Sequence, residues 1–137
     1  ENKWGIGDSL ELANDLALVL DIHHHWCREG EYIEPNDDRI KRVVASWRGV
    51  RPAMHFSCSR EDLLSSYSAT KRPDFAALTE QGFKKGKLRA HSDYMWNDAV
   101  NRWALSHWEW ADIMVEAKCK NLAVGQLYSL TQESLAA

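Results

Sequence analysis

Hydrophobic positions in this chain come in blocks separated by polar stretches, and each block has a period that predicts an element. The run Ala17-Leu18-Val19-Leu20 leads directly into Asp21-Ile22-His23-His24-His25. A continuous apolar run of that kind predicts a strand buried on both faces, over residues 17–22. Upstream, Asp8-Ser9-Leu10-Glu11 has the form of a capping box and predicts a helix over residues 9–16. A polar loop through Gly30 and Pro35 then precedes Asn36-Asp37-Asp38. After it, Ile40, Val43, Val44 and Trp47 recur at i, i+3, i+4 and i+7, the plainest amphipathic helix in the chain, which Gly49 ends. Residues 51–57 read as a second short buried strand. Residues 59–86 turn polar, with short helices expected after Ser59 and after Pro73. A third helix, over residues 93–108, buries Trp96, Val100, Trp103 and Ala104. It leads to a third strand over residues 111–116 and a closing helix over residues 118–130 that offers Leu122, Ala123, Leu127 and Leu130 to the core.

Helices alternating with buried strands are the grammar of parallel α/β units, whose right-handed crossovers carry helices on the sheet. A doubly wound sheet and a (β/α) barrel both fit. In either, the three strand ends fall on one side, so Asp21 with His24, His55 and Glu116 converge although they are distant in sequence. Residues 1–137 read as one segment, with the polar stretch of about 59–90 as a long insertion.

Composition narrows the class. Of 137 residues, 45% are hydrophobic and 27% charged, which supplies one core and excludes a disordered chain. The net charge of -3 gives no overall basic signal, so nucleic-acid binding would need a local positive patch. Cys27, Cys58 and Cys119 lack CxxC spacing, which excludes a zinc ribbon or a disulfide scaffold and points to a reducing compartment. No stretch approaches the ~20 apolar residues that span a bilayer. A cytoplasmic chain is expected, and its start at Glu1 rather than Met reads as a piece of a longer frame.

Carboxylates and imidazoles at the ends of parallel strands suit divalent ions such as Mn, Zn or Fe. Taken singly, His23 to His25 read as a solvated loop and His55 as a core histidine. As a set they read otherwise, because a carboxylate at the end of a buried strand is costly unless paired or metal-bound. Side chains of an extended segment alternate, so only a subset of the histidine triplet can be ligands. His107, on the tryptophan-rich helix, reads as structural, and the seven Trp residues as core. Lys84, Lys85, Lys87 and Arg89 place phosphate-attracting charge just before His91-Ser92-Asp93.

Four blocks in order, Val-Leu-Asp-Ile-His-His-His, Met-His-Phe-Ser, Arg-Ala-His-Ser-Asp-Tyr and Asp-Ile-Met-Val-Glu-Ala-Lys-Cys-Lys, closely resemble the C-terminal half of the UV damage endonucleases. The opening Glu1-Asn2 resembles that family's Glu-Asn pair at the end of the preceding strand. The resemblance implies α/β architecture in the form of a partial (β/α)8 TIM barrel, similar to endonuclease IV and the xylose isomerase-like barrels, with parallel strands and outer helices. It implies a cluster of divalent ions, Mn first and Zn second, and hydrolysis of damaged double-stranded DNA on the 5′ side of UV photoproducts, hence association with a bacterial-type nucleoid. By the same resemblance Glu1, Asp21, His24, His55, His91 and Glu116 are metal ligands, His23, His25 and Asp93 support them, and Lys84, Lys85, Lys87 and Arg89 are candidates for the DNA backbone.

Two departures stand out. The family carries a metal-bridging, carboxylated lysine two residues before the strand histidine, where this chain has Ala53, and the loop from His55 to His91 is longer than the family's. A barrel of this type needs ~250 residues. The chain is therefore expected to be about half of one, to bind metal weakly, to leave DNA uncut by itself and to cover its open edges as a homodimer. The competing expectations are a metal-dependent sugar isomerase or epimerase and a non-catalytic interaction module derived from the enzyme.

Overall fold

The computed structural model describes residues 3–136. Its elements run α1 (Ile6–Leu10), β1 (Leu20–Asp21), α2 (Ile22–Glu29), α3 (Asp38–Ser46), β2 (Ala53–Phe56), α4 (Phe75–Glu80), α5 (Lys85–Leu88), α6 (Asp98–Ser106), a 3-10 turn (His107–Glu109), β3 (Asp112–Val115) and α7 (Lys120–Ala136). The three strands form one parallel sheet in the order β1-β2-β3. This mixed α/β arrangement, with helical connections between parallel strands, is the grammar read from the sequence. Among the described residues no helix is long and apolar enough to cross a membrane.

The two faces of the sheet differ. Leu20, Met54 and Phe56 point into the main core, where Ile22, Ile33, Ile40, Met95, Val100 and Trp103 join them. Alternation sends Val19, Ala53, His55 and Met114 to the opposite face. There Val19 is 51% exposed and Met114 54% exposed, so helices cover only one side of a parallel sheet.

Several boundaries move, each for a local reason. The strand expected over 17–22 contracts to Leu20–Asp21, because Leu18 gives its main chain to α3. Its N–H donates to Ser46 Oγ at 3.0 Å and its carbonyl accepts from Trp47 Nε1 at 2.8 Å, so neither is left for a ladder. The histidine triplet is helical, not an extended loop, because the Asp21 carboxylate accepts the His24 N–H at 2.8 Å and caps α2. Gly30 ends α2 in the left-handed conformation, φ 74°, which its missing Cβ permits. Asp8 lies in the third position of α1 and accepts from Gly5 N–H at 2.8 Å; the helix therefore starts earlier than the capping box implied and ends at Leu10. The α3 helix falls where its periodicity placed it, capped by Asp37. Asn97, accepting from Val100 N–H at 2.9 Å, delays α6 to Asp98.

The segment expected as a polar loop builds a second core. Residues 61–66 form turns rather than a helix, but Leu64, Phe75, Leu78 and Leu88 pack with Trp26 and Cys27 of α2. Trp96 joins the two cores, donating from Nε1 to the Ser59 carbonyl at 2.8 Å. His107 is fully buried, with Nε2 3.0 Å from the Ile33 carbonyl and Nδ1 accepting from Trp110 Nε1 at 2.9 Å.

Candidate metal centre

Strand register makes the site. Asp21 lies opposite His55 across β1 and β2, and Phe56 lies opposite Val115 across β2 and β3, so Glu116 follows directly beyond the last paired position. Its N–H donates to the Phe56 carbonyl at 2.8 Å, which fixes Glu116 beside the end of β2. One ligand atom from each of Asp21, His55 and Glu116 lies within 4.8 Å of the others. Oxygen, imidazole nitrogen and oxygen at this spacing fit one divalent ion.

Two further imidazoles flank the trio. His24 Nδ1 is 3.3 Å from Asp21 Oδ2, one turn along α2 from the capping carboxylate. His91 is positioned by an antiparallel bridge with Ser59 and by Ser92 N–H donating to the Cys58 carbonyl at 3.0 Å. Its Nε2 is 3.9 Å from Glu116 Oε2, while the other Glu116 oxygen is 3.4 Å from His55 Nδ1. Glu116 thus stands between two imidazoles. The His24 and His91 ring centroids are 5.6 Å apart. Asp21 is buried, whereas the His55, His91 and Glu116 side chains are each about one-third exposed, so the centre opens to solvent on one side.

The remaining sequence candidates divide. Glu1 lies outside the described residues. His23 is buried behind the site, its ring 5.8 Å from that of His24 and 6.3 Å from that of His91. Burial foremost, then the neighbouring His24 and His91, lowers its imidazole to about 3, against the raising effect of hydrogen bonds to the Leu88 and Arg89 main chain. The ring is neutral and joins the basic segment to the imidazole cluster. His25 turns elsewhere: its Nε2 is 2.9 Å from Glu31, a carboxylate that Arg39 also holds. Asp93 is exposed and pairs with Lys118 at 3.6 Å. Lys84, Lys85 and Lys87 are exposed around α5, and Lys85 Nζ lies 5.4 Å from the Phe75 ring centroid. Arg89 is half-buried at the end of that helix.

A family model described as UV-endonuclease UvdE matches residues 1–136. The chain belongs to this UV-endonuclease family. Neither a curated protein nor a solved structure gives a match. Membership assigns the chain to DNA repair of UV damage, with DNA as the substrate the family name implies. Ala53, where the resemblance led to the expectation of a lysine, lies on the same open face as His55, two residues before it. Nothing in the sequence but position marked the Lys118–Asp93 pair, Lys118 falling two residues after Glu116 and Asp93 two after His91.

Proposed function

We propose that this chain carries part of the active centre of a metal-dependent DNA repair endonuclease that hydrolyses the phosphodiester 5′ to UV photoproducts. The observation that carries the reading is the Asp21, His55 and Glu116 trio at the shared end of three parallel strands, within a member of the UV-endonuclease family. Asp21, His55 and Glu116 would hold one divalent ion, Mn first and Zn second. His24 and His91, with Glu1, would extend the ligand set. Bound there, divalent ions supply a nucleophilic water and neutralise the leaving oxygen. The chain's own residues do the positioning. The Glu116 carboxylate is aimed at His55 and His91 at once, and Asp21 is fixed by its hydrogen bond to the α2 main chain. His23 backs His24 and His91 as a neutral ring.

The bare face of the sheet supports the finer architectural reading. Parallel sheets are buried on both faces, and here Val19 and Met114 are half-exposed below the ligand positions. We read that face as the inner wall of a (β/α)8 barrel whose other strands complete the centre, so the chain alone binds ions weakly and does not cut. A second copy of the chain is the other cover for the face, and molar mass in solution separates the two.

Nicking of UV-irradiated plasmid with Mn²⁺ tests the function. Expected is incision 5′ to the lesion when the rest of the barrel is supplied in cis, abolished by Glu116→Gln. Robust nicking by this polypeptide alone would support the activity and overturn the incomplete-barrel reading. Turnover of a ketose panel without nicking would overturn the endonuclease in favour of an isomerase.

A further inference from the structure

From the imidazole cluster an unbroken line of aromatic rings runs through the protein to its far side. His23, whose ring centroid is 5.8 Å from that of His24 and 6.3 Å from that of His91, stacks on Trp26 at 5.9 Å with 24° between the planes. Trp26 lies 5.6 Å from Tyr32, and Tyr32 meets Trp103 edge to face at 4.8 Å. Trp103 is 5.8 Å from His107, which is 5.7 Å from Trp110. Every step falls within the separation at which aromatic rings touch. Trp26, Trp103 and His107 are buried, and Trp110 is partly exposed. Because Trp110 precedes β3 while Glu116 follows it, the line begins at one end of the sheet and emerges at the other.

Packing alone would make these contacts, so the hydrogen bonds of the rings decide what the line can do. An indole that gives up an electron becomes acidic at Nε1, and the oxidation settles where a base takes that proton. Trp26 Nε1 is buried with no acceptor among the described residues. Trp103 Nε1 donates to the Ile33 carbonyl at 2.9 Å, and a carbonyl is too weak a base to take the proton. Tyr32 OH likewise donates to the Pro73 carbonyl at 2.8 Å, and the Arg72 guanidinium, 4.9 Å from its ring centroid, opposes positive charge on that ring. Trp110 differs. Its Nε1 donates at 2.9 Å to His107 Nδ1, which is free to accept because Nε2 donates to the Ile33 carbonyl at 3.0 Å. Along this line, Trp110 is the indole that can shed its proton and keep the oxidation.

We infer that Trp26, Tyr32, Trp103 and Trp110 form a one-electron relay that carries oxidising damage away from the metal centre and leaves it at the far surface. The inference rests on the metal-centre reading for the source of its oxidant. Fe²⁺ binds a nitrogen and oxygen site at least as well as Mn²⁺, so the Asp21, His55 and Glu116 trio is open to an ion that reduces hydrogen peroxide. One electron from Fe²⁺ splits peroxide into hydroxide and a hydroxyl radical, leaving Fe³⁺. The radical takes one electron from Trp26 and becomes a second hydroxide. Trp103 then refills Trp26 across the Tyr32 ring, Trp110 refills Trp103 across His107, and the Trp110 Nε1 proton moves to His107 Nδ1. A thiolate from solution gives one electron to the neutral indole radical and leaves as a thiyl radical, while His107 returns the proton.

The test measures Fe²⁺ affinity by anaerobic calorimetry, adds hydrogen peroxide to the loaded chain, and maps oxidised residues by peptide mass spectrometry. Trp108, 49% exposed and outside the line, is the internal control, since radicals acting from solution favour the more exposed indole. Expected is oxidation of Trp110 in excess of Trp108, and its loss when Zn²⁺ replaces Fe²⁺. In Trp103→Phe, Trp110 oxidation is expected to be lost and products to move to Trp26 and the ligand histidines. Tyr32→Phe keeps the bridging ring and is expected to retain the parent pattern. Circular dichroism checks the fold of both variants, and the comparison of Trp110 with Trp108 in the parent stands without them. Oxidation of Trp108 over Trp110, oxidation that stops at Cys27, whose Sγ is 3.8 Å from His23 Nε2, or Trp110 oxidation unchanged in Trp103→Phe overturns the relay alone. A chain that binds no Fe²⁺ overturns the metal-centre reading and the relay's source with it. Nicking plays no part in the readout, so failure of the endonuclease activity leaves the relay standing.

Discussion

Asp21 and His55 face each other across the parallel pairing of β1 and β2, and the same Asp21 carboxylate caps α2 by accepting from His24 N–H at 2.8 Å. One side chain therefore closes a strand, starts a helix and joins His55 and Glu116 in a group that could hold a metal ion. Two substitutions separate these roles. Asn caps a helix about as well as Asp, whereas Ala forfeits the cap at about 1 kcal/mol. Asp21→Asn is expected to match the parent in urea unfolding in EDTA and to lose Mn binding in calorimetric titration. Asp21→Ala is expected to lose both.

Glu116 is the carboxylate that faces two imidazoles, and its side chain is partly open to solvent. Its charge serves the centre more than the fold. Glu116→Gln is expected to lower metal affinity by roughly tenfold or more, by the scale on which ligand surroundings act, with little change in unfolding midpoint. His55→Ala should do the same. Elemental analysis of the dialysed variants reads the outcome, and retention of stoichiometric metal in both would remove the trio from the site.

His107 sets a pH dependence remote from the ligands. Burial lowers its imidazole below the ordinary 6.5, the hydrogen bond to the Ile33 carbonyl and the Glu34 charge only partly opposing it. The unfolded chain therefore takes up this proton near 6.5 and the folded chain only at lower pH. Stability from the neutral ring is complete above 6.5 and falls as pH drops from 6.5 toward the lowered folded value. His107→Phe is expected to cost about 1–3 kcal/mol, since the Trp110 N–H loses its acceptor, and to flatten the loss of stability below 6.5. Urea midpoints on either side of that pH measure both effects.

Leu78 lies in the core built by the long connection between β2 and β3, and it is fully buried. Were residues 59–90 a solvated loop, its truncation would change little. Leu78→Ala is expected to destabilise the whole protein by about 2–5 kcal/mol in chemical unfolding. A change under about 0.5 kcal/mol, the usual scale for surface substitutions, would show that this layer is not part of the cooperative fold.

Much of the fold was written in local patterns. Ile40, Val43 and Val44 marked α3, Asp37 marked its start, and the apolar runs before Asp21, around His55 and before Glu116 marked the three strands. The convergence of Asp21, His55 and Glu116 was legible for the same reason: Asp21 and Glu116 follow apolar runs and His55 lies within one. What failed were elements whose fate depends on distant partners. Leu18 lost its strand because Ser46 and Trp47 on α3 claimed its main chain. The connection of 59–90 looked like a loop because its buried residues, Leu64, Phe75, Leu78 and Leu88, are spaced too irregularly to show a period, and they find their cover on α2.

By itself the sequence determined the α/β alternation, the three strand ends and the chemistry gathered there, because burial dictates apolar runs and the resemblance of four blocks names the family. Only the tertiary structure decided which histidines serve which purpose. Once Asp21 starts a helix, a turn of 3.6 residues sends His23 behind the site, His24 beside Asp21 and His25 to Glu31, a division that no alternation along an extended chain could predict. It also decided that Asp93 belongs to Lys118, since that pairing exists only where two loops are hydrogen-bonded together at the rim of the sheet.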